Sequence, residues 1–249
     1  MSKRIKILKE TPTSGCRYIK TKVPWQPDKF IQFSHAQNFV DAIDFKKDER
    51  ITAIVNGSFI LGDMIEAFLT KYQIATKKMT IATLSYSMEN VNSLKNLIDS
   101  GYIDKLNIIC SDYFYNHEKK VIIPYTYYML DNENGNFQLA VERTHIKVFL
   151  FETKLKGSKF VIQGSGNFRT NANLEQFTME INPQAYDFYD DYFNDIIQRY
   201  KTIDTSQTYG KDHWKEIVEN IEKEKAKQKK KKPTQQRLVK EYLIDEDIF

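Results

Sequence analysis

Strands alternating with helices between Ile51 and Lys201 predict an α/β domain, a mixed sheet flanked by helices. Three observations carry that prediction. Short β-branched runs have strand length, amphipathic stripes of helix length separate them, and turn residues stand at the junctions.

Residues 1–50 carry turn signals at Thr11-Pro12, Ser14-Gly15 and from Pro24 to Pro27, and read as an extension with short strands and room for an edge hairpin. Ile51 to Val55 is a strand ended by Asn56-Gly57-Ser58. Leu61, Met64, Ile65, Phe68, Leu69 and Tyr72 then recur at the spacing of a buried helix face. Met79 to Leu84 is a second strand. Ser87 is placed to cap a helix carrying Val91, Leu94, Leu97 and Ile98, and Gly101 to end it in the left-handed region. Leu106 to Cys110 is a third strand, followed by a helix over His117 to Leu130. Phe137 to Val141, Ile146 to Phe151, Phe160 to Ile162 and Phe177 to Ile181 read as further strands. Ala185 to Lys201 is a helix whose aromatic stripe is of the core type.

Past Tyr209-Gly210 a second helix, 211–231, turns Lys-rich until Pro233. The expected organisation is an extension (1–50), a catalytic domain (51–203), a Lys-rich helix (204–232) and a flexible acidic and apolar tail (233–249).

No apolar run approaches the ~18 residues of a membrane span, and the N-terminus lacks the apolar stretch of a secretion signal. Two cysteines, Cys16 and Cys110, make neither a disulfide nor a zinc framework, so a cytoplasmic protein without membrane or metal is expected. The run from Lys223 to Lys232 carries seven Lys and one Glu, a surplus of +6, so the remainder of a +4 chain is −2. That run suits a polyanion or a solvated helix face.

The segment THIKVFLFETKLKGSKFVIQGSGNFRTNANLE from Thr144 concentrates the chemistry. On a strand, His145 and Lys147 project from one face, joining a nucleophilic imidazole to a cation that holds phosphate charge. His-x-Lys alone is weak, because it recurs at His117-Glu118-Lys119 and His213-Trp214-Lys215, both in helical pattern. The continuation distinguishes His145. A hairpin at Lys156-Gly157-Ser158 returns the chain to Gly164-Ser165-Gly166-Asn167. There Ser165 and Asn167 supply neutral donors, and the glycines let backbone N–H groups approach an anion.

His-x-Lys, a following acid, then Gly-Ser-x-Asn is similar to the signature of the phospholipase D superfamily, and Asn173-Leu174-Glu175 resembles its downstream Asn-x-Glu element. The match spans about 51–200, one catalytic half. The resemblance implies a phospholipase D-like sandwich in which His145 forms a phosphohistidine and Lys147, Ser165 and Asn167 bind phosphoryl oxygens. Glu175 would then orient an imidazole. Glu152 stands where the family has Asp, and the stretch from it to Gly164 is longer than usual.

That chemistry needs two imidazoles, and the chain holds one qualifying copy, so a homodimer is expected. The expected function is a metal-independent nuclease acting on DNA before RNA, aided by Lys229, Lys230, Lys231 and Lys232. The alternatives are another phosphodiesterase, a phospholipase included, or a non-catalytic nucleic-acid-binding protein. The final LIDEDIF resembles the tail of bacterial single-stranded DNA-binding proteins, without their penultimate proline. It suggests docking to a DNA-processing partner.

Overall fold

A computed structural model describes residues 29–33, 36–46, 49–55, 60–131, 135–169 and 173–202. The Lys-rich run, the acidic tail, the Asn56-Gly57-Ser58 turn and His213 lie outside these residues.

The described elements are β1 (Lys29–Phe33), α1 (Ala36–Ala42), β2 (Arg50–Val55), α2 (Leu61–Lys71), β3 (Thr76–Ala82), α3 (Met88–Asp99) and β4 (Leu106–Ser111). Then come α4 (Asp112–His117), α5 (Ile122–Leu130), β5 (Phe137–Glu142), β6 (Val148–Thr153), β7 (Lys159–Gly164), β8 (Glu175–Ile181) and α6 (Pro183–Tyr200). The strands form one mixed sheet in the order β1-β2-β8-β7-β6-β3-β4-β5. The α/β sandwich expected from sequence is what the chain forms. β1 runs parallel to β2 at the sheet edge, so part of the segment before Ile51 joins the same sheet.

Two apolar clusters lie on opposite faces of the sheet. On one, Met64, Ile65 and Phe68 of α2 and Val91, Leu94 and Leu97 of α3 pack on Met79, Ile81, Phe149 and Phe151. On the other, Tyr186, Phe193 and Ile196 of α6 cover Ile109, Val148, Leu150 and Val161. β4 is buried at every position, as a strand covered on both faces must be. The two stripes read as helix faces, Leu61–Tyr72 and Ala185–Lys201, are therefore core.

Three local expectations are corrected. The segment expected as a helix over His117–Leu130 is two helices, α4 and α5. Ser111 caps α4 by accepting from the N–H of Phe114 at 3.0 Å, which starts that helix five residues early. Pro124, lacking an N–H, is tolerated in the first turn of α5, and the chain turns over Glu118–Val121. Ser87 precedes α3, but its hydroxyl makes no cap and instead accepts from Asn90 Nδ2 at 2.9 Å. Asn90 Oδ1 in turn holds the Gly62 N–H at 2.7 Å and joins α3 to the start of α2. Finally, β6 begins at Val148, two residues later than expected, which leaves His145 and Lys147 just outside the sheet. Gly101 does end α3 with φ 75°.

No helix among the described residues is long and apolar enough to cross a membrane.

Candidate active site

The β6–β7 hairpin places the motif. Its turn uses positive φ at Lys156 (59°) and Gly157 (57°), and the register pairs Val148 with Gln163. The residues before β6 and after β7 therefore meet at one end, and the Gly164 N–H donates to the Lys147 carbonyl at 3.2 Å. The seventeen residues between Lys147 and Ser165 are spent on the two antiparallel strands and their turn.

His145 is exposed and Lys147 is buried, 8% exposed. The Lys147 ammonium lies 2.7 Å from His145 Nδ1 and 3.5 Å from Nε2, and donates to the His145 carbonyl at 2.8 Å. The two side chains meet as the i, i+2 spacing predicts, although the segment is extended backbone and not paired strand. None of the ion pairs between described residues involves Lys147. Burial pushes its pKa down, and the charge of Glu175 partly opposes that shift. A buried ammonium whose donors meet only an imidazole and a carbonyl is a ready site for an anion.

Ser165 and Glu175 face each other across the β7–β8 pair. The Ser165 hydroxyl donates to Glu175 Oε2 and accepts from the Gln176 N–H at 3.0 Å, while the Ser165 N–H donates to the Gln176 carbonyl at 2.9 Å. Here the expectation that glycine frees an N–H group for an anion needs correcting at Gly164. The N–H groups of Gly164 and Ser165 are both consumed by the sheet. Gly164 is required for another reason: a Cβ there would stand 2.1 Å from the Gln176 carbonyl and 2.7 Å from Phe177 Cα. At Gly166 a Cβ would meet Glu175 side-chain carbons only at an ordinary 3.5 Å.

Gly164, Gly166, Asn167 and Glu175 line one pocket, with Val55 and Leu61 at its apolar wall. Asn167 Oδ1 is buried in the structure without a hydrogen-bond partner, a state that asks for a donor when the site is filled. The Asn167–Arg169 turn is pinned by Phe168, which is fully buried and donates its N–H to Thr83 Oγ1 at 3.0 Å. The Phe168 carbonyl accepts from the Ser87 N–H at 3.1 Å.

The sequence did not single out Thr83, nor Arg169 and Gln176, which line the same pocket as Asn173 of the Asn-x-Glu element. Arg169 directly follows GSGNF, a position that was its one signal. Thr83 had none, since its role depends on β3 ending beside the turn.

Other predicted positions lie apart. Glu152 is at the far end of β6, ion-paired with Lys77 at 3.1 Å. His117 closes α4, its Nδ1 2.8 Å from the Tyr113 carbonyl, as expected for a His-x-Lys without chemistry. No cluster of three or more His, Cys, Asp or Glu placed to hold a metal occurs among the described residues. Lys229, Lys230, Lys231 and Lys232 lie outside them.

No family model and no curated protein matches the chain. Solved structures do. A phospholipase D family member, Nuc from Salmonella typhimurium, is 16% identical over 59% of this chain and 94% of its own, with a TM-score of 0.42. NucT from Helicobacter pylori is 18% identical over 60% and 97%, with a TM-score of 0.44. A phosphatidylserine synthase from Haemophilus influenzae Rd KW20 is 13% identical over 71% and 46%, with a TM-score of 0.45. The chain is similar in fold to a phospholipase D family member. The likeness is one of fold alone, and any chemistry has to come from this chain's own residues.

Proposed function

We propose that the chain is a phosphodiesterase of phospholipase D type that cleaves nucleic acid, DNA in preference to RNA, as a homodimer with a composite site. The observation that carries this reading is the buried Lys147 ammonium beside the His145 ring, at the end of the hairpin that also bears Ser165 and Asn167.

The ring of His145 attacks phosphorus, forming a P–N bond as the P–O bond to the leaving group breaks. A second imidazole, His145 of the partner copy, gives its proton to the departing oxygen. That imidazole then takes a proton from water, which attacks the phosphohistidine and releases the phosphate product and free His145. Lys147 Nζ lies 2.7 Å from His145 Nδ1, so an incoming phosphoryl oxygen has to draw the ammonium off the ring. The same exchange neutralises the phosphate and frees the nucleophile. Asn167 and the Ser165 hydroxyl, turned from Glu175, hold the remaining oxygens, and Glu175 orients an imidazole. Fixed cationic and neutral donors supply the electrostatic stabilisation, so the reaction needs no metal. Placement in the cytoplasm and recruitment of a DNA-processing partner by the final LIDEDIF belong to the same proposal.

The test is incubation of wild type and His145→Ala with labelled DNA, RNA and phosphatidylcholine in EDTA. Cleavage of nucleic acid by the wild type alone is the expected result. Strict metal dependence, or cleavage of the phospholipid only, overturns the reading. Sedimentation of the active species as a monomer overturns the composite site.

A further inference from the structure

We infer that single-stranded nucleic acid lies across the site end of the sheet, its bases stacking on the exposed Tyr113–His117 ring pair and its phosphates held by Arg143 and Arg169.

The first observation is how charge is distributed along the strands. Seven ion pairs join described residues to one another, and all lie away from the site end. Lys77–Glu152, Lys78–Asp190, Lys154–Asp104, Lys159–Asp187 and Arg50–Glu180 gather where β6 ends and β7 begins, or at the matching ends of their neighbours. Lys46–Asp44 precedes β2, and Lys95–Asp99 closes α3.

At the site end the pattern reverses. Arg143 follows β5 and Arg169 follows the Asn167 turn; both are exposed, and neither is ion-paired among the described residues. The nearby acids receive N–H or O–H donors instead. Asp112 Oδ1 accepts from the Tyr113 N–H at 2.8 Å, Glu142 Oε1 from the Arg143 N–H at 2.7 Å, and Glu175 from Ser165. Neither arginine meets a carboxylate among the described residues, whereas Arg50, Lys77, Lys78, Lys154 and Lys159 at the other end each do.

The second observation is aromatic. Tyr113 is 65% exposed at the start of α4, and its ring lies over that of His117, also exposed, with centroids 4.0 Å apart and planes 35° apart. Most aromatic rings of the chain are turned into its two cores. Tyr113 stands two residues past Ser111, which pairs with Glu142, so α4 and Arg143 leave the sheet at the same end. β3 alone separates β4 from β6, at whose start His145 sits. Arg143 follows β5, and Arg169 follows Phe168, which is bonded to Thr83 and Ser87 just past β3, so both arginines stand at the end of the sheet that bears the Lys147–His145 pair. A stacking platform recognises bases only where they are unstacked, which selects a single strand over a duplex.

The inference rests on the proposed phosphodiesterase reading, and two measurements separate their fates. Binding of the full chain to a fluorescein-labelled oligothymidylate and to a duplex of the same length is followed by anisotropy. Hydrolysis of bis-p-nitrophenyl phosphate is followed in wild type and His145→Ala. Tyr113→Leu is expected to weaken single-strand binding about tenfold and duplex binding less than about twofold. Arg143→Gln and Arg169→Gln should each lower the salt slope of binding by about one. Lys154→Gln, from a paired lysine at the other end, leaves both unchanged. Equal losses on strand and duplex, an unaffected Tyr113→Leu, or a Lys154→Gln effect as large as those of the arginines overturns the inference. If those binding losses appear but His145-dependent hydrolysis does not, the phosphodiesterase reading fails and the strand path stands. If hydrolysis depends on His145 while Tyr113→Leu binds as wild type, the path alone fails.

Discussion

Lys147 Nζ stands 2.7 Å from His145 Nδ1, and this contact ties an exposed member of the site to a buried one. The ammonium has given up water without gaining a carboxylate within ion-pair distance, which costs stability until an anion arrives.

Lys147→Met removes that cost. The variant is expected to melt at or above the wild-type temperature, and to lose the stabilisation that added vanadate or phosphate gives the wild type. Because burial lowers the Lys147 pKa from its ordinary 10.5, the unfolded chain holds this proton where the folded one has released it. This contribution to stability therefore rises with pH between the lowered folded value and 10.5. Melting curves across the alkaline range should show the rise in wild type and lack it in Lys147→Met.

His145→Ala should lower hydrolysis by about 10⁴-fold or more, the scale on which removal of a covalent nucleophile acts. His117→Ala should leave hydrolysis of a small phosphodiester within about twofold, since His117 closes α4 and its ring meets Tyr113, not the Lys147–His145 pair. Turnover of bis-p-nitrophenyl phosphate by the two variants checks both.

The glycines of GSGN divide by role. Gly164→Ala drives a methyl into the Gln176 carbonyl and Phe177, and should destabilise by about 3 kcal/mol or more. Gly166→Ala meets only side-chain carbons at van der Waals distance and should cost under about 1 kcal/mol. Urea denaturation of the two variants separates an obligatory close approach from a permissive one.

Thr83→Val deletes the acceptor of the Phe168 N–H inside the protein, and should cost about 1–3 kcal/mol. Because the lost bond pins the turn carrying Asn167, kcat should fall while Thr83→Ser restores it. Denaturation and steady-state kinetics on the pair check the assignment, as a purely structural threonine would not couple the two readouts.

Much was legible along the chain because its signals are local. Periodicity marks the buried faces of α2 and α6, the spacing of His145 and Lys147 marks a shared face, and Gly157 marks the turn that returns the chain to Ser165. Errors arose where a neighbour far along the chain decided the outcome. Ser111 starts α4 early, Asn90 occupies the Ser87 hydroxyl, and the ladder to β3 ends at Val148, leaving His145 beyond the sheet.

By itself the sequence determined the α/β alternation, the hairpin and the spacing that brings His145 and Lys147 to the end where Ser165 and Asn167 lie, since these follow from periods of two and 3.6 residues and from turn chemistry. Only tertiary structure decided that Gly164 serves the approach of β8 and not an anion, that Lys147 is buried without a carboxylate, and that Thr83 steadies the Asn167 turn. Burial and close approach are properties of strands brought together from distant positions, and β3, β7 and β8 meet at this site only after the sheet has formed.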